Sequence, residues 1–142
     1  MMNSLPVVVS STASDSHMWN LVFLQLLIEE LGHTVVNLGV CVPDELLVEQ
    51  CRRLDPALIV ISSVNGHGFA HGMQLAPRVR ACPVLAHTPL VLGGKLGVAD
   101  ARDVGRRRQL EIAGFTSVYD EAEIPAFQDF VSRLAADRAA VS

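Results

Sequence analysis

The chain reads as a flavodoxin-like (Rossmann-like) doubly wound α/β protein, with five parallel strands in the order 2-1-3-4-5 and helices on both faces. Three observations predict it. Five short apolar runs alternate with longer stretches of helical spacing, which is the pattern of a βα repeat. Half of the residues are hydrophobic but only 5% are aromatic, so Val, Leu, Ile and Ala must fill the interior, as in parallel sheets covered on both faces. A length of 142 residues suits one core, so residues 1–142 are expected to form a single domain.

The first strand is Leu5 to Ser10, rich in valine. The helix after it begins near Met18 and turns Leu21, Leu24, Leu27, Ile28 and Leu31 towards the sheet, with Gly32 as its C-terminal cap. Thr34 to Leu38 is the second strand. After Gly39-Val40-Cys41-Val42 a helix opens at Pro43-Asp44-Glu45, where proline's fixed φ and two carboxylates suit a helix N-terminus, and it ends near Leu54. The continuous apolar run Ala57 to Ile61, set off by Asp55-Pro56, is the best candidate for a central strand. Gly66, Gly68 and Gly72 then predict a loop before a helix around Met73 to Arg80. Pro83 and Pro89 bracket the approach to a short fourth strand, Leu90 to Leu92, which Gly93-Gly94 terminates. A charged helix over Ala101 to Ala113, a strand over Thr116 to Tyr119 and a last helix from Pro125 to Ala136 complete the pattern.

Charge narrows the range of partners. A net charge of -4 and a pI near 5.6 argue against nucleic acid or an anionic membrane, each of which calls for a concentrated basic face. The one basic cluster, Arg106-Arg107-Arg108, reads as a solvated helix face. Cys41, Cys51 and Cys82 are too widely spaced for a C-x-x-C pair and suit a reducing compartment. Leu5 to Val9 lacks the basic lead and length of a signal peptide, and Leu21 to Ile28 is far shorter than the roughly 20 residues of a membrane span, so a cytoplasmic location is expected.

In such a sheet ligands bind at the carboxyl ends of the strands, where three loops carry chemistry. In the first, Ser14-Asp15-Ser16-His17-Met18-Trp19-Asn20, a modest bend lets the Asp15 carboxylate accept a hydrogen bond from one imidazole nitrogen of His17 and leaves the other free for a metal. The alternative is that Asp15 caps the helix and His17 is an idle surface residue. The other two loops, Ser62-Ser63-Val64 and Leu92-Gly93-Gly94, place small residues at neighbouring strand ends and open a slot for a flat ligand.

Other ligands of this architecture fit less well. A phosphate-accepting receiver needs an aspartate where Ser62-Ser63 stands. A flavodoxin could use Ser10-Ser11-Thr12-Ala13-Ser14 for the flavin phosphate, but one Trp and one Tyr leave little to stack on the flavin ring. His67 and His71 have the i, i+4 spacing of a zinc pair, yet the glycines around them predict loop histidines without a metal. Gly93-Gly94-Lys95 lacks the rest of a P-loop, and Gly66-x-Gly68 lacks the third glycine of a dinucleotide fingerprint.

Asp15-Ser16-His17-Met18-Trp19-Asn20, then Ser62-Ser63-Val64, then Gly93-Gly94 resemble, in order and spacing, the D-x-H-x-x-G, S-x-L and G-G signature of cobalamin-binding domains in adenosylcobalamin-dependent mutases and methionine synthase. The likeness is greatest to the small subunit of glutamate mutase (methylaspartate mutase) and runs from the first strand nearly to the end of the chain. It includes Val35-Val36-Asn37-Leu38-Gly39-Val40, Pro43-Asp44-Glu45-Leu46 and Val60-Ile61-Ser62-Ser63-Val64-Asn65-Gly66-His67-Gly68. Asn20 stands in place of the signature glycine and Val64 in place of leucine, and Phe69 stands where that subunit has an acidic residue after G-x-G.

The resemblance implies a cofactor, adenosylcobalamin, and a cofactor-binding set of Asp15, Ser16, His17, Met18, Ser62, Val64, Gly66, Gly93 and Gly94. His17 would ligate cobalt from below in place of the dimethylbenzimidazole tail, with Asp15 holding its far nitrogen. Ser62 would hydrogen-bond the buried base, and Val64, Gly93 and Gly94 would line its slot. No catalytic side chain is implied in this chain. The resemblance also implies that an adenosyl radical would begin the rearrangement of a small-molecule substrate held by a larger barrel-type subunit, with a heterotetramer expected. A corrinoid carrier or regulatory module without radical chemistry is the alternative.

Overall fold

The structure is a computed structural model that describes residues 4–63, 67–94 and 102–141. Strand β1 (Pro6–Ser11) leads into helix α1 (Met18–Glu30), which Gly32 ends at φ +98, a conformation open to residues without a side chain. Strand β2 (Thr34–Asn37) is followed by α2 (Asp44–Leu54). Asp44 and Glu45 lie in the first turn of α2 and Arg52 and Arg53 in its last, so both charged ends oppose the helix dipole. Next come β3 (Leu58–Ser62), α3 (Gly68–Ala81), a short 3-10 turn (Pro83–Leu85) and β4 (Leu90–Gly93). Helix α4 (Arg102–Ala113), β5 (Ser117–Tyr119) and α5 (Ile124–Val141) complete the described chain.

All strand pairings are parallel and the sheet order is β2-β1-β3-β4-β5, as the βα pattern predicts. Alternation along the strands sends side chains to two cores. Val8, Ile59, Ile61, Leu90 and Leu92 pack on one face with Leu47, Leu75, Val79 and Leu110 of α2, α3 and α4. On the other face Val7, Val9, Leu58, Val60 and Val91 meet Leu21, Leu24 and Ile28 of α1 and Phe127 and Val131 of α5. Strand β3 is buried along its whole length, in keeping with the uninterrupted apolar run that marks it as central.

Helix α3 departs from the sequence reading. It begins at Gly68 rather than near Met73, so His67 is its N-cap and His71 lies within its first turns instead of in a loop. Gly72 serves close packing, not chain reversal: a Cβ there would come within 2.8 Å of Leu110, 3.1 Å of Leu92 and 3.1 Å of Phe115. A glycine chosen for a tight helix-to-sheet contact looks, in sequence, the same as one that breaks a helix. Val64 and Gly66 lie outside the described residues, as does the expected start of α4 at Ala101. Among the described residues no helix is long and apolar enough to cross a membrane.

Parallel pairing also aligns the rim. Ser11 pairs with Ser62, Ser62 with Gly93, and Gly93 with Tyr119, so the serine and glycine singled out in the sequence fall on one register row at the carboxyl edge. At the opposite end of the sheet His33 is buried and its Nδ1 accepts the Leu5 backbone N–H at 3.1 Å. That bond requires a neutral ring, and burial holds the His33 pKa below its ordinary 6.5. The unfolded chain takes up this proton first as pH falls through 6.5, so stability should be complete above that value and decline below it. In His33→Asn, which keeps an acceptor but does not titrate, the denaturation midpoint should fall less steeply with acid; an unchanged slope would remove His33 from the effect.

Candidate functional site

The loop after β1 is pinned by its own backbone. Ser11 Oγ donates to the Asp15 carbonyl at 2.8 Å, the Cys41 N–H donates to the same oxygen at 3.0 Å, and the Asp15 N–H donates to Thr12 O at 3.0 Å. These bonds turn the Asp15 side chain inward, where it is 1% exposed. A carboxylate so buried needs donors, and His17 supplies two: its backbone N–H at 2.9 Å and its ring Nδ1 at 2.8 Å, both to Oδ1. The N-cap position of α1 is His17 itself, with no side-chain capping bond, so Asp15 holds the imidazole and does not cap the helix. With Nδ1 donating to the carboxylate, Nε2 is the nitrogen not held by Asp15, on a ring whose side chain is 56% exposed.

His17 lines a broad, open depression of about 700 Å³ together with Ser16, Met18, Trp19, Asn20, Phe23 and Glu121. Asn20, Phe23 and Glu121 also line a narrower cleft of about 150 Å³ that runs down between α1 and α5, so the two hollows adjoin. Phe23, Leu24, Val60, Val91, Ile124 and Phe127 make the cleft walls apolar, and Gly93 and Gly94 stand at its sheet side. A cavity of that size, about 150 Å³ with apolar walls, takes up a flat aromatic molecule. At Gly93 an added Cβ would meet only the Tyr119 carbonyl oxygen, at 3.6 Å, so the missing side chain leaves room rather than relieving a clash. Gly94 has φ +117, which favours glycine.

The far wall is the turn between β5 and α5. Arg107 of α4 fixes it by pairing with Asp120 at 3.0 Å and Glu123 at 2.5 Å, and the guanidinium holds the Glu123 carboxyl below the usual carboxylate range. Asn20, the departure from the signature, sits within α1 in ordinary helical backbone; the positive φ that its glycine counterpart suggests is not used. Its side chain goes sideways, and Nδ2 donates to Ser62 Oγ.

Ser16, His17 and Met18 thus line the depression with Asp15 buried behind the His17 ring, and Gly93 and Gly94 line the cleft. Ser62 lies beside the cleft with Asn20 against its hydroxyl. The sequence reading missed α5 and the β5 turn, which provide Tyr119, Asp120, Glu121, Ile124 and Phe127. One signal was available: α1 carries Met18, Trp19, Phe23 and Leu26, all exposed, which is more apolar surface than its core-facing stripe needs. His71 is separate from this site, its Nδ1 within 3.1 Å of Ser14 Oγ, and its ring lies 6.0 Å from that of His67. Among the described residues no three or more His, Cys, Asp or Glu side chains are grouped to hold a metal ion.

Comparison with known proteins points the same way. The B12 binding domain family matches residues 5–126. Glutamate mutase sigma subunit 2 of Haloarcula marismortui is 24% identical over 131 residues, 92% of this chain and 86% of that one. Among solved structures, a cobalamin-binding protein from Desulfitobacterium hafniense superposes with a TM-score of 0.73 at 14% identity, over 93% of this chain and 60% of that one. The methanol:cobalamin methyltransferase complex from Methanosarcina barkeri gives a TM-score of 0.70 at 19% identity, over 93% of this chain and 46% of its own. The chain therefore spans about half the length of these two solved structures, and at such identities the likeness is one of fold.

The cleft can be closed without disturbing the fold. In Gly93→Leu the new side chain has space to enter it, so the thermal midpoint should stay within a few degrees of the parent while binding of free benzimidazole, at roughly millimolar concentration, disappears. Amide shifts of α1 and α5 read this by NMR. Equal perturbation of parent and variant would show that the cleft is not where the aromatic ring goes.

Proposed function

This chain belongs to the B12 binding domain family, and we propose that it is the cobalamin-carrying small subunit of an adenosylcobalamin-dependent carbon-skeleton mutase, with glutamate mutase as the enzyme. The observation that carries the reading is the carboxylate-held imidazole at the junction of depression and cleft. A corrin needs a broad seat with one basic nitrogen beneath the metal, and its displaced nucleotide base needs a narrow apolar slot close by. The donor set fits: a neutral imidazole with its far nitrogen fixed by a carboxylate is a good cobalt ligand.

When bound, adenosylcobalamin supplies a carbon–cobalt bond that breaks homolytically and starts the rearrangement. The protein's part is to bind and orient. Asp15 holds Nδ1 of His17, and His17 would bind the cobalt through Nε2. Ser16 and Met18, which line the depression, would border the corrin, and Gly93 and Gly94, which line the cleft, would let the backbone approach the tail base. Ser62, Val64 and Gly66 complete the cofactor-binding set by their place in the signature.

With its ligand-binding edge given to a corrin, the chain needs a partner to hold substrate and cover the upper cobalt face. A larger barrel-type subunit in a heterotetramer meets that need, and the 86% coverage of a glutamate mutase sigma subunit supports it. A second reading, a corrinoid carrier or regulatory module without radical chemistry, draws on the likeness to the methyltransferase complex. The proposed location is the cytoplasm, in keeping with the free thiols of Cys41, Cys51 and Cys82.

Three outcomes are expected. His17→Ala should lose the base-off, histidine-on visible spectrum of bound cobalamin, and an unaltered spectrum would take His17 out of the ligand role. Asp15→Asn should keep that spectrum but weaken binding by about 10- to 100-fold, as loss of an outer-shell partner does. Mixed with adenosylcobalamin and the large subunit, the chain should convert L-glutamate to 3-methylaspartate. Tight cobalamin binding with no product would favour the carrier.

A further inference from the structure

The tail slot carries one uncharged amide. Asn20 lines both the cleft and the depression, so it stands at the point where a base passes from one to the other. Its Nδ2 is spent on Ser62 Oγ, and its Oδ1 makes no further hydrogen bond among the described residues. Of this pair it is the amide of Asn20, not the hydroxyl of Ser62, that faces the cleft. Around it the walls are mostly apolar, with Phe23, Leu24, Val60, Val91, Ile124 and Phe127, while Tyr119, Asp120 and Glu121 line the side towards β5.

A base entering this slot therefore meets, in mostly apolar surroundings, an amide whose acceptor is unused among the described residues. Dimethylbenzimidazole presents two methyl groups along its outer ring and no N–H, so burying the amide beside it leaves a polar group unpaired, which is unfavourable. A purine has ring nitrogens and an exocyclic amine on its edge, and a carboxamide is the side chain that pairs with such an edge. We propose that Asn20 is a specificity determinant of the tail slot, selecting corrinoids whose lower nucleotide carries adenine over those that carry dimethylbenzimidazole. This rests on the reading of the cleft as the tail site. Sites built to pair a polar group discriminate strongly against ligands that lack the partner, whereas purely apolar slots do not.

The test uses the whole chain and three probes: adeninylcobamide, cobalamin with its dimethylbenzimidazole, and cobinamide, which has no nucleotide. Affinities are read from quenching of Trp19, which lines the depression and is 77% exposed. The parent should bind adeninylcobamide about ten-fold tighter than cobalamin. In Asn20→Gly and Asn20→Ala the order should reverse or level, with cobinamide affinity unchanged. The alanine variant keeps the helix intact should glycine loosen it. The same adenine-to-dimethylbenzimidazole ratio in parent and variants overturns the proposal, as does an equal loss for all three probes, which would mark Asn20 as merely structural. Failure of every corrinoid to bind the parent would instead overturn the tail-slot reading itself, and this proposal with it.

Discussion

The hydrogen bond from the His17 ring to the buried Asp15 carboxylate is the interaction on which the site depends. A carboxylate removed from water must be paired, and that need converts a short polar loop into a fixed mount for an imidazole. The loop could not hold Asp15 inward without the Ser11 hydroxyl and the Cys41 amide on its carbonyl oxygen. Cys41 adopts φ +54, a costly conformation for a residue with a side chain, and it is in that conformation that its N–H reaches Asp15. The doubly wound order then adds position: β1 lies inside the sheet, so its loop emerges next to the ends of β3 and β4.

The two faces of the sheet are finished differently. Towards α2, α3 and α4 the packing is closed, with Gly72 letting the helix lie close on Leu92, Leu110 and Phe115. Arg80 secures the lower part of that face, donating to the carbonyls of Leu85, Thr88 and Gly114 at 2.6 to 3.0 Å. Such charge-assisted bonds tie the chain ends around β4 to α3. Towards α1 and α5 the core is closed at its base, where Ile28 and Val131 are buried, and opens upwards into the cleft. Stability is thus concentrated away from the place where a ligand must enter.

The sequence revealed the fold in order and topology because each strand is an apolar run of the right length and each helix has a turn signal before it. It misplaced the start of α3, since Gly68 and Gly72 look like breakers until their neighbours across the sheet are known. Half of the site was equally visible. Asp15 and His17 are two residues apart, and a local motif shows itself in a local reading. The cleft was not visible, because its walls come from Phe23 and Leu24 in α1 and from Ile124 and Phe127 a hundred residues later, a meeting decided only by tertiary packing. Asn20 is the instructive case: known as a departure, it gained meaning only when Ser62 was found at the end of its side chain.

The row Ser11–Ser62–Gly93–Tyr119 is set by the register of the strands and not by the loops that follow them. Successive strand residues point to opposite faces, so a slip of one residue between β3 and β4 would put Leu92 or Gly94 opposite Ser62 and turn the opening out of line. The backbone ladder acts as a ruler that sets the rim chemistry independently of the connections above it. Those connections are therefore free to lengthen, shorten or change composition during divergence, whereas an insertion within a strand would be purged. A scaffold of this kind can exchange one guest for another by rewriting its turns while its measured edge stays in place.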